Sequence, residues 1–239
     1  MPALFAHRGS HHGLPENTLA AFARALEEGA DGVELDVRTC ASGTVVVAHD
    51  PDLRRVAGRP ERVARMGWPA LARVDLGAEE RVPRLDDALD LILGAGRRVN
   101  VEVKGDVPDR RRTAALVSQL LRRRRPDERA AVVLSTFDPV VLAALRWGVP
   151  EVPVGFLFDA AHTGLRRAAL VRAGLRPAGV HPHAPLCTPG RVRRWRRAGL
   201  FVNVWTVNAP AEARALATLG VDALITDDVP ALRRAGLDP

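Results

Sequence analysis

Three stretches, LEEGADGVEL (26–35), RRAGLFVNVW (196–205) and TLGVDALIT (218–226), repeat one order: the end of an amphipathic helix, a glycine, then a short apolar strand. Glycine suits the left-handed turn that ends a helix, so each stretch reads as a helix-to-strand joint. Upstream of Gly29, Leu19, Phe22, Ala23 and Leu26 take the i, i+3, i+4, i+7 spacing of one buried stripe. Ala114, Val117, Leu120 and Leu121 share a face of another helix, and Thr188-Pro189 reads as an N-cap with proline at the first helical position. Strands are expected at 3–7, 32–37, 44–49, 98–104, 131–136, 153–158, 178–181, 201–206 and 223–226. Alternating strands and helices imply a parallel sheet, and this many units in 239 residues favour an α/β fold of the (β/α)8 TIM-barrel type over an open doubly wound sheet.

That is one strand too many. The second and third are separated only by residues 38–43, too few for a crossover helix, so they should form a hairpin through Ser42-Gly43. Residues 51–84, rich in Arg, Pro and Gly, replace a simple helical connection and are predicted to form a small insertion over the barrel mouth. Residues 1–239 are expected to be one domain, because α/β barrels reach this length as single units and 47% hydrophobic residues can fill a core.

A net charge of +7 raises the question of a polyanionic partner. Lys104 is the only lysine among 35 Lys and Arg residues, and so uniform a preference beside abundant Ala reads as a compositional bias. No nucleic-acid motif and no basic-aromatic interleaving appear, so no nucleic-acid partner is expected. The run Arg122–Arg125 is expected to be a solvated helix end. Cys40 and Cys187 match no metal or redox spacing and read as reduced thiols. The N-terminus turns polar too soon for a secretory segment, and no apolar run approaches membrane-spanning length. A soluble, cytoplasmic protein without membrane insertion is the expectation.

In a barrel of this kind function collects at the C-terminal strand ends. There the sequence places His7-Arg8-Gly9, Glu34 and Asp36, His49-Asp50, Asn100, Glu102 and Lys104, Ser135-Thr136-Phe137, His181-Pro182-His183, Trp205-Thr206-Val207-Asn208 and Thr226-Asp227. Singly, each has a plain structural reading: a Glu-x-Asp pair can answer a neighbouring Arg, a lone His can be a bonded core residue, Trp205 can be core, and Thr226-Asp227 can cap the last helix. Together they would be costly to bury without a common ligand.

Glu34 and Asp36 project from one face of a strand otherwise made of Val33, Leu35 and Val37. With Glu102 they form three carboxylates that cannot all stay ionised without a counter-charge. Oxygen-only ligation points to one divalent cation, Mg2+ or Ca2+, rather than Zn2+. Arg8 and Lys104 remain as cations for an anionic substrate, the single lysine fitting a position that needs a compact point charge. His7 and His49 suit the removal of one proton and the delivery of another near neutral pH. Metal, cations and paired imidazoles together fit cleavage of a phosphodiester.

AHRG with PENTLAAF, GADGVELDV, VVVAHDPDL, VPRLDDAL, NVEVKG, VWTVN and GVDALITDDVP occur in this order across nearly the whole chain. In these motifs the sequence resembles the glycerophosphodiester phosphodiesterases, within the wider phospholipase-C-like phosphodiesterase barrels. The resemblance implies metal-dependent hydrolysis of small-molecule glycerophosphodiesters to sn-glycerol 3-phosphate and an alcohol. It implies His7 and His49 as the acid/base pair, Glu34, Asp36 and Glu102 as metal ligands, and Arg8 and Lys104 on the phosphate. Trp205 would pack against the glycerol moiety, while Glu16 and Asn17 of the ENT motif would support the site. The chain departs from its relatives at Leu53-Arg54-Arg55-Val56, where a Thr-containing run is usual.

Three rival readings stand beside this one. A lysophospholipase D in the same barrel would cleave acylated diesters, though the absence of Tyr and the scarcity of aromatics speak against a large lipid cleft. A retaining glycosidase could use Glu34 and Glu102 but leaves Asp36, both histidines and Lys104 unexplained. A non-catalytic binding barrel could dispense with acid/base or metal groups, yet every expected one is present.

Overall fold

Eight parallel strands close into a barrel, and a short ninth strand is appended to it in antiparallel sense. The computed structural model describes residues 1–160, 171 and 173–237. The order begins β1 (Ala3–His7), α1 (Leu19–Glu27), β2 (Gly32–Thr39), β3 (Val45–Val47), α2 (Arg54–Ala57), α3 (Trp68–Leu71), α4 (Leu85–Gly94) and β4 (Arg98–Val103). It continues α5 (Arg110–Arg122), α6 (Pro126–Ala130), β5 (Val132–Thr136), α7 (Pro139–Gly148), β6 (Val154–Phe158) and β7 (Gly179–Pro182). It ends α8 (Pro189–Arg197), β8 (Phe201–Val204), α9 (Pro210–Thr218), β9 (Ala223–Thr226) and α10 (Val229–Arg234). The barrel runs β1-β9-β8-β7-β6-β5-β4-β2 and closes through β1 against β2, so the surplus strand is β3, paired to β2 through Val37↔Val47 and Thr39↔Val45. Gly43 makes the hairpin turn at φ 81°.

The helix-to-strand joints form as the glycines predict: Gly29, Gly199 and Gly220 have φ of 87°, 74° and 74°. Thr188 caps α8, its hydroxyl accepting from Arg191 N. The stripe of α1 is centred one position away from the expected one: Ala21, Phe22 and Ala25 are buried, Leu19 and Leu26 pack beside them, and Ala23 is only half-buried. Arg122–Arg125 is not a freely solvated helix end. Arg122 reaches the Gly148 carbonyl, and Arg124 bonds Asp86 at 2.6 Å and also Asp90, because α4 presents acidic residues where α5 ends.

Most apolar side chains pack between the strands and the helix ring, Phe22, Leu35, Leu89, Leu121, Leu134 and Leu145 among them. Inside the barrel, Ala3, Phe5, Ala223 and Ile225 form a small apolar plug. Three glycines make room inside it: a Cβ would lie 2.6 Å from the Phe5 ring at Gly32, 2.4 Å from the His181 ring at Gly155 and 2.2 Å from the Phe201 ring at Gly179. Within 51–84, Leu53, Val63, Leu71, Val74 and Val82 form a satellite cluster with Cys40 and Val46 of the hairpin. That cluster seats α2 beside the strand ends.

Candidate active site

Register brings the carboxylates together. His7 lies opposite Glu34 and Asp36 opposite Glu102, so β1, β2 and β4 offer these side chains at one end of the barrel. One oxygen from each of Glu34, Asp36 and Glu102 falls within 4.8 Å of the others. Asp36 is the best supported: Asn17 Nδ2 donates to its Oδ2 at 2.9 Å, and Arg8 Nε lies 3.2 Å away. Lys104 sits inside the cluster, its Nζ donating at 2.6 Å to Asp36 Oδ1 and to Glu102 Oε1. Burial raises carboxyl pKa values, and for Glu34 the neighbouring Asp36 charge adds to that, so its pKa is raised. Burial acts the same way on Asp36, but Lys104 and Arg8 outweigh it and hold Asp36 ionised. The cluster therefore lacks cationic charge for all three carboxylates, and its all-oxygen donor set fits a hard divalent cation.

Two histidines flank the cluster. His7 Nδ1 donates to Asp227 Oδ1 at 2.7 Å, and His49 Nδ1 donates to Asp50 Oδ1 at 2.7 Å. Each aspartate fixes the proton on Nδ1 and leaves Nε2 as the working nitrogen. His7 Nε2 lies 4.0 Å from Glu34 Oε2. Burial disfavours the His7 imidazolium, but the Asp227 hydrogen bond and the Glu34 charge prevail and its pKa is raised. For His49, burial and then the Lys104 charge act downward and its pKa is lowered. Asp227 is itself braced: Asn208 Nδ2 donates to Oδ2 at 2.6 Å, and the Asp227 amide donates to Asn208 Oδ1 at 2.9 Å. Asp227 falls to about 2 despite its burial, through its bonds to His7 and Asn208.

Arg8 adopts a left-handed backbone, φ 57°, which turns the chain after β1. Gly9 follows at φ 82°, where a Cβ would strike the Ala21 backbone at 2.7 Å, so only glycine lets the turn lie against α1. The Arg8 Nη1 donates to Glu16 Oε1 at 3.0 Å. Trp205 stands across the mouth, edge-on to Phe137 at 5.5 Å and 4.9 Å from the His183 ring, with Nε1 donating to the His181 carbonyl at 2.8 Å. A cavity of about 760 Å³ lies between, lined by His7, Arg8, His49, Glu102, Lys104 and Trp205 among others.

Thus His7, Arg8, His49, Glu34, Asp36, Glu102, Lys104 and Trp205 meet at one mouth, while Glu16 and Asn17 stand behind Arg8 and Asp36. Lys104 faces the carboxylates as well as the cavity. Sequence reasoning missed the partners that orient these groups. Asp227 reads as a helix cap and instead holds His7. Arg38 is buried and holds the His49 carbonyl through Nε at 2.9 Å and Nη2 at 2.7 Å, which draws His49 out of β3 and ends that strand at Val47 rather than residue 49. Position places Asp50, Asn208 and Asp227 among the polar strand ends but does not pair them with a histidine. Arg38 follows Glu34 and Asp36 on one strand face and Arg55 lies in the run that departs from the relatives, but neither position says what the guanidinium grips.

A model of the glycerophosphoryl diester phosphodiesterase family matches residues 7–231. The chain is 30% identical over 232 residues to a glycerophosphodiester phosphodiesterase of Caldanaerobacter subterraneus, covering 94% of this chain and 93% of that protein. It is similar to a solved Oleispira antarctica phosphodiesterase in complex with the product sn-glycerol-3-phosphate, with TM-score 0.86, 25% identity, and 100% and 98% of the two chains covered. The glycerophosphodiester phosphodiesterase of Thermotoga maritima superposes with TM-score 0.81 at 27% identity over 98% of each chain.

Proposed function

As the chain belongs to the glycerophosphoryl diester phosphodiesterase family and is a phosphoric diester hydrolase, we propose that it cleaves deacylated glycerophosphodiesters to sn-glycerol 3-phosphate and an alcohol by acid/base catalysis at His7 and His49. The observation that carries this reading is two aspartate-oriented histidines flanking one three-carboxylate cluster, with Arg8 and Lys104 on the same cavity. Among the described residues, the cavity lining includes His7, Arg8, His49, Asp50, Lys104 and Asp106, groups suited to a charged phosphodiester.

Glu34, Asp36 and Glu102 would hold one divalent cation, Mg2+ or Ca2+. When bound, it supplies charge for the phosphoryl oxygens, polarises a substrate hydroxyl, and offsets the carboxylate that favours the His7 imidazolium. His7 Nε2, beside the cluster, accepts the proton of a glycerol hydroxyl as that oxygen attacks phosphorus. His49 Nε2, on the wall with Asp50, donates a proton to the departing alcohol oxygen as the P–O bond breaks. Arg8 and Lys104 disfavour a protonated His49, and a phosphodiester anion held between them relieves that effect. Water then opens the cyclic phosphate with the two roles exchanged: His49 takes the water proton and His7 returns one to the glycerol oxygen. Trp205 offers a flat wall to the glycerol carbons.

The test is to strip the protein with chelator, supply glycerophosphocholine or glycerophosphoethanolamine, and assay glycerol 3-phosphate after adding Mg2+ or Ca2+. Cation-dependent release is expected. Choline release from lysophosphatidylcholine, leaving lysophosphatidic acid, with no glycerol 3-phosphate from either deacylated diester would replace the substrate class, and undiminished glycerol 3-phosphate release without cation would remove the metal.

A further inference from the structure

Glu16 and Asp50 come from different segments, yet one side chain grips both. Arg55 Nη1 and Nη2 donate to Glu16 Oε2 and Oε1, each at 2.8 Å, and Arg55 Nε donates to Asp50 Oδ2 at 2.6 Å. The same carboxylates also hold the reaction groups: Glu16 Oε1, shared with Arg55 Nη2, accepts from Arg8 Nη1 at 3.0 Å, and Asp50 Oδ1 accepts from His49 Nδ1 at 2.7 Å. We propose that Arg55 is a positioning residue that couples the phosphate-binding Arg8 to the acid/base His49 by holding Glu16 and Asp50 in one plane.

Only a guanidinium can do this, because three of its N–H groups point along fixed directions in one plane, whereas an ammonium on a flexible stem cannot satisfy two carboxylates with a fork. Among the described residues, Arg8 and Arg55 are the side chains that bond Glu16, and His49 and Arg55 those that bond Asp50. Without Arg55, Asp50 keeps no second contact to hold its carboxylate toward His49, and Glu16 keeps only the arginine it is meant to orient. The clamp itself is anchored. Leu53, two residues earlier, is buried in the satellite cluster, and the short helix carrying Arg55 closes on Gly58 at φ 66°. The insertion thereby reaches the chemistry through Arg55, which does not line the cavity, and half of the Arg55 side chain remains exposed.

The proposal rests on the substrate reading above for its kinetic test and is separable from it by a ligand-free one. Arg55→Ala is expected to lower kcat/KM by about 10–100-fold, the usual effect of removing a partner that orients a site residue, with kcat down and KM up. Arg55→Lys, which retains charge but loses the fork, is expected to stay about tenfold or more below the parent. Glu16→Gln should reproduce the rise in KM and Asp50→Asn the fall in kcat. Adding Arg55→Ala to either should then cost less in that parameter than it does alone. Arg55→Ala or Arg55→Lys within twofold of the parent in both parameters, or full additivity in both double variants, overturns the clamp. The imidazole 15N resonances of His49, recorded without substrate, should move in Arg55→Ala at unchanged thermal midpoint. Unchanged resonances overturn the coupling to His49 even if glycerophosphocholine proves not to be the substrate, whereas inactivity of the parent with shifted resonances overturns the substrate reading alone.

Discussion

His7 and His49 meet their aspartates at the same 2.7 Å, but the two walls are built from different material. Asp227 lies 220 residues from His7 and reaches it because β9 is paired beside β1; Asn208, from the loop after β8, locks it in place. Asp50 is the next residue after His49, in a loop, and its second support is Arg55 from the insertion. Closing the barrel thus builds the His7 wall as a consequence of the fold, while the His49 wall depends on a segment that packs on its own satellite cluster. The proton chemistry beside the carboxylates is tied to the scaffold, and the leaving-group side can be retuned without rebuilding it.

The two walls separate most sharply when the leaving alcohol is changed. His7→Ala and His49→Ala should each lower kcat on glycerophosphocholine by about 10²–10⁴-fold with the fold intact. On a p-nitrophenyl diester, whose leaving group needs no proton, His49→Ala should regain most of its loss and His7→Ala should not. Recovery by His7→Ala instead would exchange their roles in the first step.

A smaller effect distinguishes what stands behind the His7 wall. Asn17→Ala removes a hydrogen bond to Asp36 and is expected to weaken Mg2+ or Ca2+ binding by about 10–100-fold in a calorimetric titration, and Glu34→Gln by more. An unchanged titration for Glu34→Gln would detach that carboxylate from the cation. Asp227→Asn is expected to cost about 10–100-fold in kcat, since the amide still fits but no longer fixes the His7 tautomer. A cost smaller than that of Asp50→Asn would contradict the inequality of the walls.

The barrel, its extra hairpin strand and the groups at its mouth were legible because they rest on local signals: a glycine after a helix, a loop too short for a crossover, a carboxylate where an apolar strand residue belongs. Glu34 and Glu102 declared themselves by being out of character. Asp227 stood among the polar strand ends without its role showing, because a capping aspartate and an orienting aspartate look identical until β9 is set beside β1. The roles of Arg38 and Arg55 were hidden for a statistical reason, arginine being so frequent that its presence alone does not mark a site. What each arginine grips is decided by contacts between segments, and no periodicity encodes those.

His181 supplies a histidine with neither wall, and so the smallest effect on turnover. It is fully buried in the barrel interior, neither ring nitrogen has a partner among the described residues, and burial pushes its pKa down to about 3 from 6.5. The native ring stays neutral down to about pH 3, whereas the unfolded chain takes up a proton below pH 6.5. Between those values the unfolded state binds more protons, so stability falls as pH falls across that window. For a ring of this kind the loss between pH 7 and pH 4 amounts to about 3 kcal/mol. His181→Leu should remove that share of the acid sensitivity in denaturant titrations while leaving kcat on glycerophosphocholine within a few-fold of the parent, because the imidazole does not line the active-site cavity. An acid sensitivity unchanged by the substitution would mean that the ring finds a proton-sharing partner in the folded barrel, and that an aspartate is not needed to hold a histidine's charge in this fold.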